Sequence, residues 1–254
     1  MDLASSTAIV TGGAGGIGRA TARRLAEAGA SVAVTDVDEA GGRSTVEAIR
    51  DDGGEAMFRR LDVTDHGAFE SAFDAVADEF DPVDVLVNNA GVGHPPGWLQ
   101  ETALDDRDDV FRVNIDGVWN GCHVGVSRMA ARGAGAIVNV SSLAGLVGAP
   151  GLATYSMSKG AVMNFTRSVA AEAGPVGVRV NAVCPGFVET PMVEEYFGSF
   201  EDPEAARAET VAQYPLRRLG RPEEVADAIV FLASDAASFV TGHGLTIDGG
   251  FSAY

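Results

Sequence analysis

The chain has 254 residues, 46% hydrophobic and 21% charged, enough to bury a full core without metal or disulfide support. Its 36 acidic and 18 basic residues give a formal net charge of −18, which argues against a nucleic-acid partner, since such a chain would repel a phosphate backbone. Cys122 and Cys184 are too few for a disulfide framework and match no zinc spacing, and no apolar run reaches the roughly 18 residues of a membrane span.

Short apolar runs alternate with stretches of helical period along the whole chain. A strand is expected over residues 7–11, a helix over 17–28, a strand over 31–35 and a helix over 39–50. A strand over 56–63 follows, then a helix over 68–80 in which Phe69, Phe73, Val76 and Phe80 recur at helical spacing. Strands over 83–87 and 136–140 flank a helical stretch near 110–129. A helix over 155–173, a strand over 178–183, a helix over 223–233 and a strand over 244–247 complete the pattern. Near-continuous apolar strands separated by helices imply a parallel, doubly wound α/β sheet of about seven strands with both faces covered. With no repeat and no linker, residues 1–254 read as one domain.

The rhythm breaks between Pro185 and Pro222, where acids mix with Phe187, Tyr196, Phe197, Phe200 and Tyr214 and no strand is evident. Residues 187–214 follow the carboxyl end of a strand, the edge where open α/β sheets bind ligands, so a substrate lid is expected there. Arg207 is the one cation in this stretch, which disfavours a strongly anionic substrate.

The first strand meets the first helix through Thr11-Gly12-Gly13-Ala14-Gly15-Gly16-Ile17-Gly18. Glycines here let the backbone approach a pyrophosphate closely, and the following helix N-terminus offers unpaired N–H groups and partial positive charge. Asp36 ends the next strand, 18 residues beyond Gly18, where a carboxylate accepts hydrogen bonds from the adenosine ribose. The same carboxylate repels a 2′-phosphate, so NAD is favoured over NADP, with Arg19 the one nearby cation that argues the other way. The chain is therefore a candidate Rossmann-type dinucleotide-binding domain.

Tyr155 and Lys159 lie four residues apart, on one helix face. A phenol titrates near 10, and bringing it to about 7 takes about 4 kcal/mol of phenolate stabilisation. An adjacent ammonium and a nicotinamide cation are the expected sources. Lys159 is the sole lysine, the other 17 basic residues being arginine, so an ammonium has been kept at this one place.

Together these motifs resemble the classical short-chain dehydrogenase/reductase family over essentially the whole chain. The matches are Thr11-Gly12 with Gly16 and Gly18, Asp62-Val63, Asn88-Asn89-Ala90-Gly91, Asn114, Ser141-Ser142, Tyr155 with Lys159, Pro185-Gly186 with Thr190, and Asp248-Gly249-Gly250. The resemblance implies Tyr155 as acid/base, Ser142 steadying the substrate oxygen, Lys159 holding the nicotinamide ribose and tuning Tyr155, and Asn114 holding a relay water. Ser141 is the competing assignment for Ser142. Cofactor contacts are implied at Gly12, Gly16, Ile17, Gly18, Asp36, Asp62 and Val63. Others are implied at Asn88, Asn89, Ala90, Gly91, Tyr155 and Lys159, and at Pro185, Gly186, Val188 and Thr190 past the nicotinamide amide. Met157 stands where relatives often carry a small residue. His66, His94, His123 and His243 have no metal-ligand spacing; His94 is the one placed to touch substrate.

The implied activity is reversible hydride transfer between NAD and a secondary alcohol or ketone, on a sugar, polyol, cyclic alcohol or steroid-like substrate. An NADP-dependent reductase of the 3-oxoacyl-carrier-protein type is the alternative, and a catalytically silent cofactor-sensing scaffold a third reading. The resemblance also implies a homotetramer packed through the long helices and the segment near Phe251 to Tyr254. The first six residues carry neither a basic region nor an apolar core, so a cytoplasmic location without a membrane partner is expected. An acidic, lysine-poor composition suits salt-rich cytoplasm, where counter-ions screen self-repulsion. Halophilic adaptation predicts that thermal midpoint and activity both fall on dialysis from molar salt into dilute buffer; full retention of both would refute it.

Overall fold

The computed structural model describes residues 2–253. Seven strands, β1 (Thr7–Thr11), β2 (Ser31–Asp36), β3 (Ala56–Arg60), β4 (Val85–Asn88), β5 (Gly135–Val140), β6 (Val178–Pro185) and β7 (Gly244–Ile247), form one sheet in the order β3-β2-β1-β4-β5-β6-β7. Every pairing is parallel, as the apolar strands imply. The chain runs outward from β1 to β3, then returns to place β4 on the other side of β1. That reversal opens a crevice beyond the carboxyl ends of β1 and β4.

Strand alternation divides the interior into two cores. Ala8 and Val10 of β1 face one side with Leu25 of α1 (Gly16–Glu27) and Ile229 and Leu232 of α9 (Pro222–Ala233). Ile9 faces the other, with Phe69 and Phe73 of α3 (His66–Glu79), Val124 of α5 (Gly117–Ala130) and Val162 of α6 (Ala153–Ala173). Burying a side chain of this size contributes roughly 1.5–3 kcal/mol, so both faces of the sheet must be covered before the cleft can be held rigid. Helix starts are set locally: Asp38 caps α2 (Glu39–Asp51) by accepting from Gly41 N–H, and Asp65 caps α3 through Ala68 N–H at 3.0 Å.

Several expected boundaries move. β3 stops at Arg60, because Asp62 turns its carboxylate onto Thr64 and bends the chain away from the sheet. The helical stretch near 110–129 is α4 (Leu104–Phe111), a π turn at Arg112–Asp116 and α5 in succession. The segment after β6 is helical, with α7 (Pro191–Gly198) and α8 (Pro203–Gln213) each beginning at a proline. Rings of Phe187, Tyr196, Phe197 and Phe200 pack together within it. No helix among the described residues is long and apolar enough to cross a membrane.

Candidate active site

The glycine loop closes against the end of β4. Thr11 Oγ1 accepts from both Asn89 and Ala90 N–H at 3.0 Å, while Asn89 Nδ2 donates to the Thr11 and Gly12 carbonyls. Gly12 sits at φ +64°, and a Cβ there would meet Ala90 Cα at 2.8 Å, so only glycine fits. Gly18 does not line the cleft; a Cβ on it would strike the Gly12 carbonyl oxygen at 2.0 Å, so it permits close helix–strand packing. No side chain caps the N-terminus of α1, whose preceding residue is Gly15, leaving its N–H groups for an anion.

Beyond this loop lies a cleft of about 470 Å³ lined by Gly12, Gly16, Ile17, Asp36, Asp62 and Val63. Asn89, Ala90 and Gly91 form its floor, and Pro185, Gly186, Val188 and Thr190 its far wall, with Ser142, Tyr155 and Lys159 at the inner end. Asp36 accepts from Ala14 N–H at 2.9 Å and from Asp38 N–H at 3.0 Å, so it braces the loop and still has lone pairs for a ribose. Thr64 donates two hydrogen bonds to Asp62, which hold its carboxyl below the usual range. Asn88 points away from the cleft: it is buried, donates to Asn139 Oδ1 at 2.9 Å and contacts Cys122. Val37, Leu61 and Met192 also line the cleft and carry no motif that announces them. A naked glycine cradle, a free helix N-terminus and a carboxylate at the far end together fit a dinucleotide.

Four predicted residues converge at the inner end. α6 carries Tyr155 and Lys159, and the end of β5 carries Ser142, which caps a short 3₁₀ turn through Ala144 N–H at 3.1 Å. Both serines line the cleft, but Ser141 is buried with its hydroxyl donated to the Lys159 carbonyl at 2.8 Å, so Ser142 is the serine whose hydroxyl hydrogen is free for a substrate. Lys159 is 3% exposed and its Nζ donates to the Val140 carbonyl at 2.9 Å, 5.7 Å from the centroid of the Tyr155 ring. Asn114, in the π turn, is fully buried; it accepts from Val92 N–H at 2.8 Å and donates to the Val92 carbonyl and to Ser158 Oγ. A Cβ on Gly91 would fall 3.2 Å from Asn114 Oδ1 and 3.3 Å from Lys159 Nζ, so both side chains converge on that glycine.

Burial sets the proton affinities here. It lowers Lys159 to about 8, and it pushes the Tyr155 phenol above its ordinary value while the Ser142 hydroxyl pulls the other way. Without a nicotinamide cation beside it the phenol stays high, because Lys159 is aimed at Val140 and desolvation of the phenolate prevails. Cys122 and Cys184 are both buried, and burial raises them to about 12 and about 11, leaving inert thiols.

A second cavity of about 860 Å³ joins the cleft at Gly91, Val92, Ser142, Tyr155 and Gly186. Its walls are the loop after β4, including His94, the loop before α6, and α7 and α8. Glu195, Tyr196 and Gln213 lie on the helical side. Of these only Tyr196 and His94 stood out in the sequence; Glu195 becomes visible once α7 is known to be a helix facing the cavity.

A family model described as Enoyl-(Acyl carrier protein) reductase matches residues 12–252. Cis-4-hydroxycyclohexanecarboxylate dehydrogenase of Sinomonas cyclohexanicum is 46% identical over 251 residues, covering 99% of this chain and 98% of that protein. The chain belongs to the short-chain dehydrogenase/reductase family. Among solved structures, levodione reductase matches with a TM-score of 0.96 at 33% identity, covering 99% of each chain. NAD+-bound xylitol dehydrogenase matches at 0.94 and 32% identity, covering 98% of this chain and 100% of that one. The doubly wound fold and the oxidoreductase family inferred from the motifs are therefore established.

Keeping a lysine proton in this site has a stability cost. The unfolded chain holds that proton to 10.5 and the folded one to about 8, a difference on the order of 3 kcal/mol below pH 8. Between those values the unfolded chain binds more protons, so stability rises with pH through that window. Lys159→Met should therefore unfold at higher urea than wild type at pH 7, by about 1–3 kcal/mol. The gap should narrow toward pH 10, and a constant gap or a less stable variant at pH 7 would contradict the burial argument.

Proposed function

We propose that the protein is an NAD-dependent dehydrogenase of secondary alcohols, working reversibly on a cyclic alcohol, sugar, polyol or steroid-like substrate. The observation that carries this reading is the meeting of Ser142, Tyr155 and Lys159 where the dinucleotide cleft opens into the larger cavity. An alcohol in that cavity reaches Ser142 and Tyr155 at the same oxygen. Tyr155 Oη takes the carbinol proton in oxidation and returns it in reduction, and Ser142 donates to the same oxygen as charge develops. NAD, when bound, supplies the hydride acceptor and a positive ring beside the phenol. Lys159 holds the ribose from its anchored position, and Asn114 ties Val92 to α6 and holds a water of the proton relay.

Asp36 supports NAD over NADP. Arg19, the cation that could have favoured a 2′-phosphate, donates instead to the Ala14 carbonyl at 2.8 Å and to Thr45 Oγ1 at 3.1 Å, outside the cleft lining. The names of the matched relatives, which include a cyclic alcohol dehydrogenase and a polyol dehydrogenase, favour the same substrate range. Asp36 also counts against the NADP-dependent 3-oxoacyl-carrier reading.

Residues 187–214 act in this reading as a substrate lid, with α7 and α8 tethered by Arg207 to Glu189 at 3.2 Å and Glu194 at 2.6 Å. The protein functions as one domain and a cytoplasmic homotetramer, consistent with exposed Trp119 on α5, Met157 on α6 and Phe239 before β7. Tyr254, part of the expected packing segment, lies outside the described residues.

Tyr155→Phe should lower alcohol turnover at least a thousandfold while NAD still binds by calorimetry, and wild type should reduce NAD faster than NADP at equal concentration. Turnover by the variant within tenfold of wild type would overturn the assignment.

A further inference from the structure

The larger cavity has an uneven stock of hydrogen-bonding groups away from Ser142 and Tyr155. Its lining contains no lysine, no arginine and a single carboxylate, Glu195. Among the described residues Glu195 has no ion pair and no hydrogen bond, whereas its neighbour Glu194 is bound to Arg207 at 2.6 Å. Arg207, the one cation of the segment, is spent on Glu194 and Glu189 and does not line the cavity.

Two hydroxyls on that side have their hydrogens committed. Ser199 donates to the Tyr196 carbonyl at 2.7 Å and Thr210 to the Ala206 carbonyl at 2.9 Å. The Gln213 amide faces the Glu209 carbonyl at 3.5 Å. His94 Nδ1 lies 2.8 Å from the Pro95 carbonyl, which can only accept, so Nδ1 carries a hydrogen; Nε2 is enclosed by protein without a partner among the described residues. The Tyr196 and Tyr214 hydroxyls on the same wall can donate as well as accept, whereas the Glu195 carboxylate is its one charged group and accepts only.

We propose that Glu195 selects the substrate: its free carboxylate accepts a hydrogen bond from a second hydroxyl of an uncharged diol or polyol and turns away molecules carrying a carboxylate, sulfonate or phosphate. This rests on the dehydrogenase reading and narrows it. An anionic substrate would meet uncompensated repulsion in this cavity with no guanidinium or ammonium to receive it. A second hydroxyl gains a charge-assisted bond that a simple alcohol cannot make.

The test compares cyclohexanol, 1,4-cyclohexanediol and 4-hydroxycyclohexanecarboxylate for calorimetric binding with saturating NADH, and for NADH formation with NAD. Wild type should bind the diol about tenfold more tightly than cyclohexanol, and the acid at least tenfold more weakly. Glu195→Gln should bring the acid to within about threefold of cyclohexanol and shrink the diol preference, leaving cyclohexanol within twofold. Salt of about 1 M, where the Debye length is about 3 Å, should weaken discrimination against the acid in wild type and leave the diol preference in place. Equal or undetectable binding of diol and cyclohexanol, tight binding of the acid to wild type, or unchanged ratios in Glu195→Gln would each overturn the proposal. Selective binding that depends on Glu195 without any NADH formation would retire the dehydrogenase reading and leave the selecting role of Glu195 standing; NADH formation with no dependence on Glu195 would do the reverse.

Discussion

A single ammonium, buried and bound to one main-chain carbonyl, is the constraint around which this site is assembled. Lys159 reaches the Val140 carbonyl at the end of β5, which ties α6 to the end of that strand. That bond fixes Tyr155 one helical turn away and places it opposite Ser142, which leaves β5 two residues after Val140. Gly91 lets the loop after β4 close over the same amine, and Asn114 binds that loop to α6 through Val92 and Ser158. The two cores of the sheet hold these elements at fixed spacing. The cost is a charged group held where solvent does not reach it, the kind of local instability that functional sites retain.

The charge of the molecule and the chemistry of its cavities work in different directions. An overall charge of −18 repels anions, yet a dinucleotide pyrophosphate needs a welcoming surface. The structure resolves this locally with backbone N–H groups at the start of α1 and no acidic side chain in its first turn. In the larger cavity the one charged side chain is the Glu195 carboxylate.

Much of this was legible in the sequence because the responsible signals are local. Apolar runs fixed the strand count, the Gly12–Gly18 spacing fixed the first turn, and the four-residue separation of Tyr155 and Lys159 fixed their common face. What was not legible depends on tertiary geometry. Asn88 belongs to the motif after β4, but strand alternation turns it into the core toward Asn139 while Asn89 faces the glycine loop. The π turn that buries Asn114 arises where two helices join without a break. The helices α7 and α8 were obscured by mixed aromatics and acids, although Thr190-Pro191 and Asp202-Pro203 are recognisable helix starts, with Asp202 accepting from Ala205 N–H at 3.0 Å. The desolvation that raises the Tyr155 phenol is likewise not legible, because spacing reports proximity and says nothing of burial.

Because Lys159 is the only lysine, protein grown on lysine labelled with ¹³C at Cε gives one side-chain resonance and needs no assignment. Following that resonance with pH measures the proton affinity of the anchoring amine directly. The account predicts a midpoint near 8; a midpoint at the ordinary lysine value of about 10.4 would mean that the amine is solvated, and the site as described does not exist.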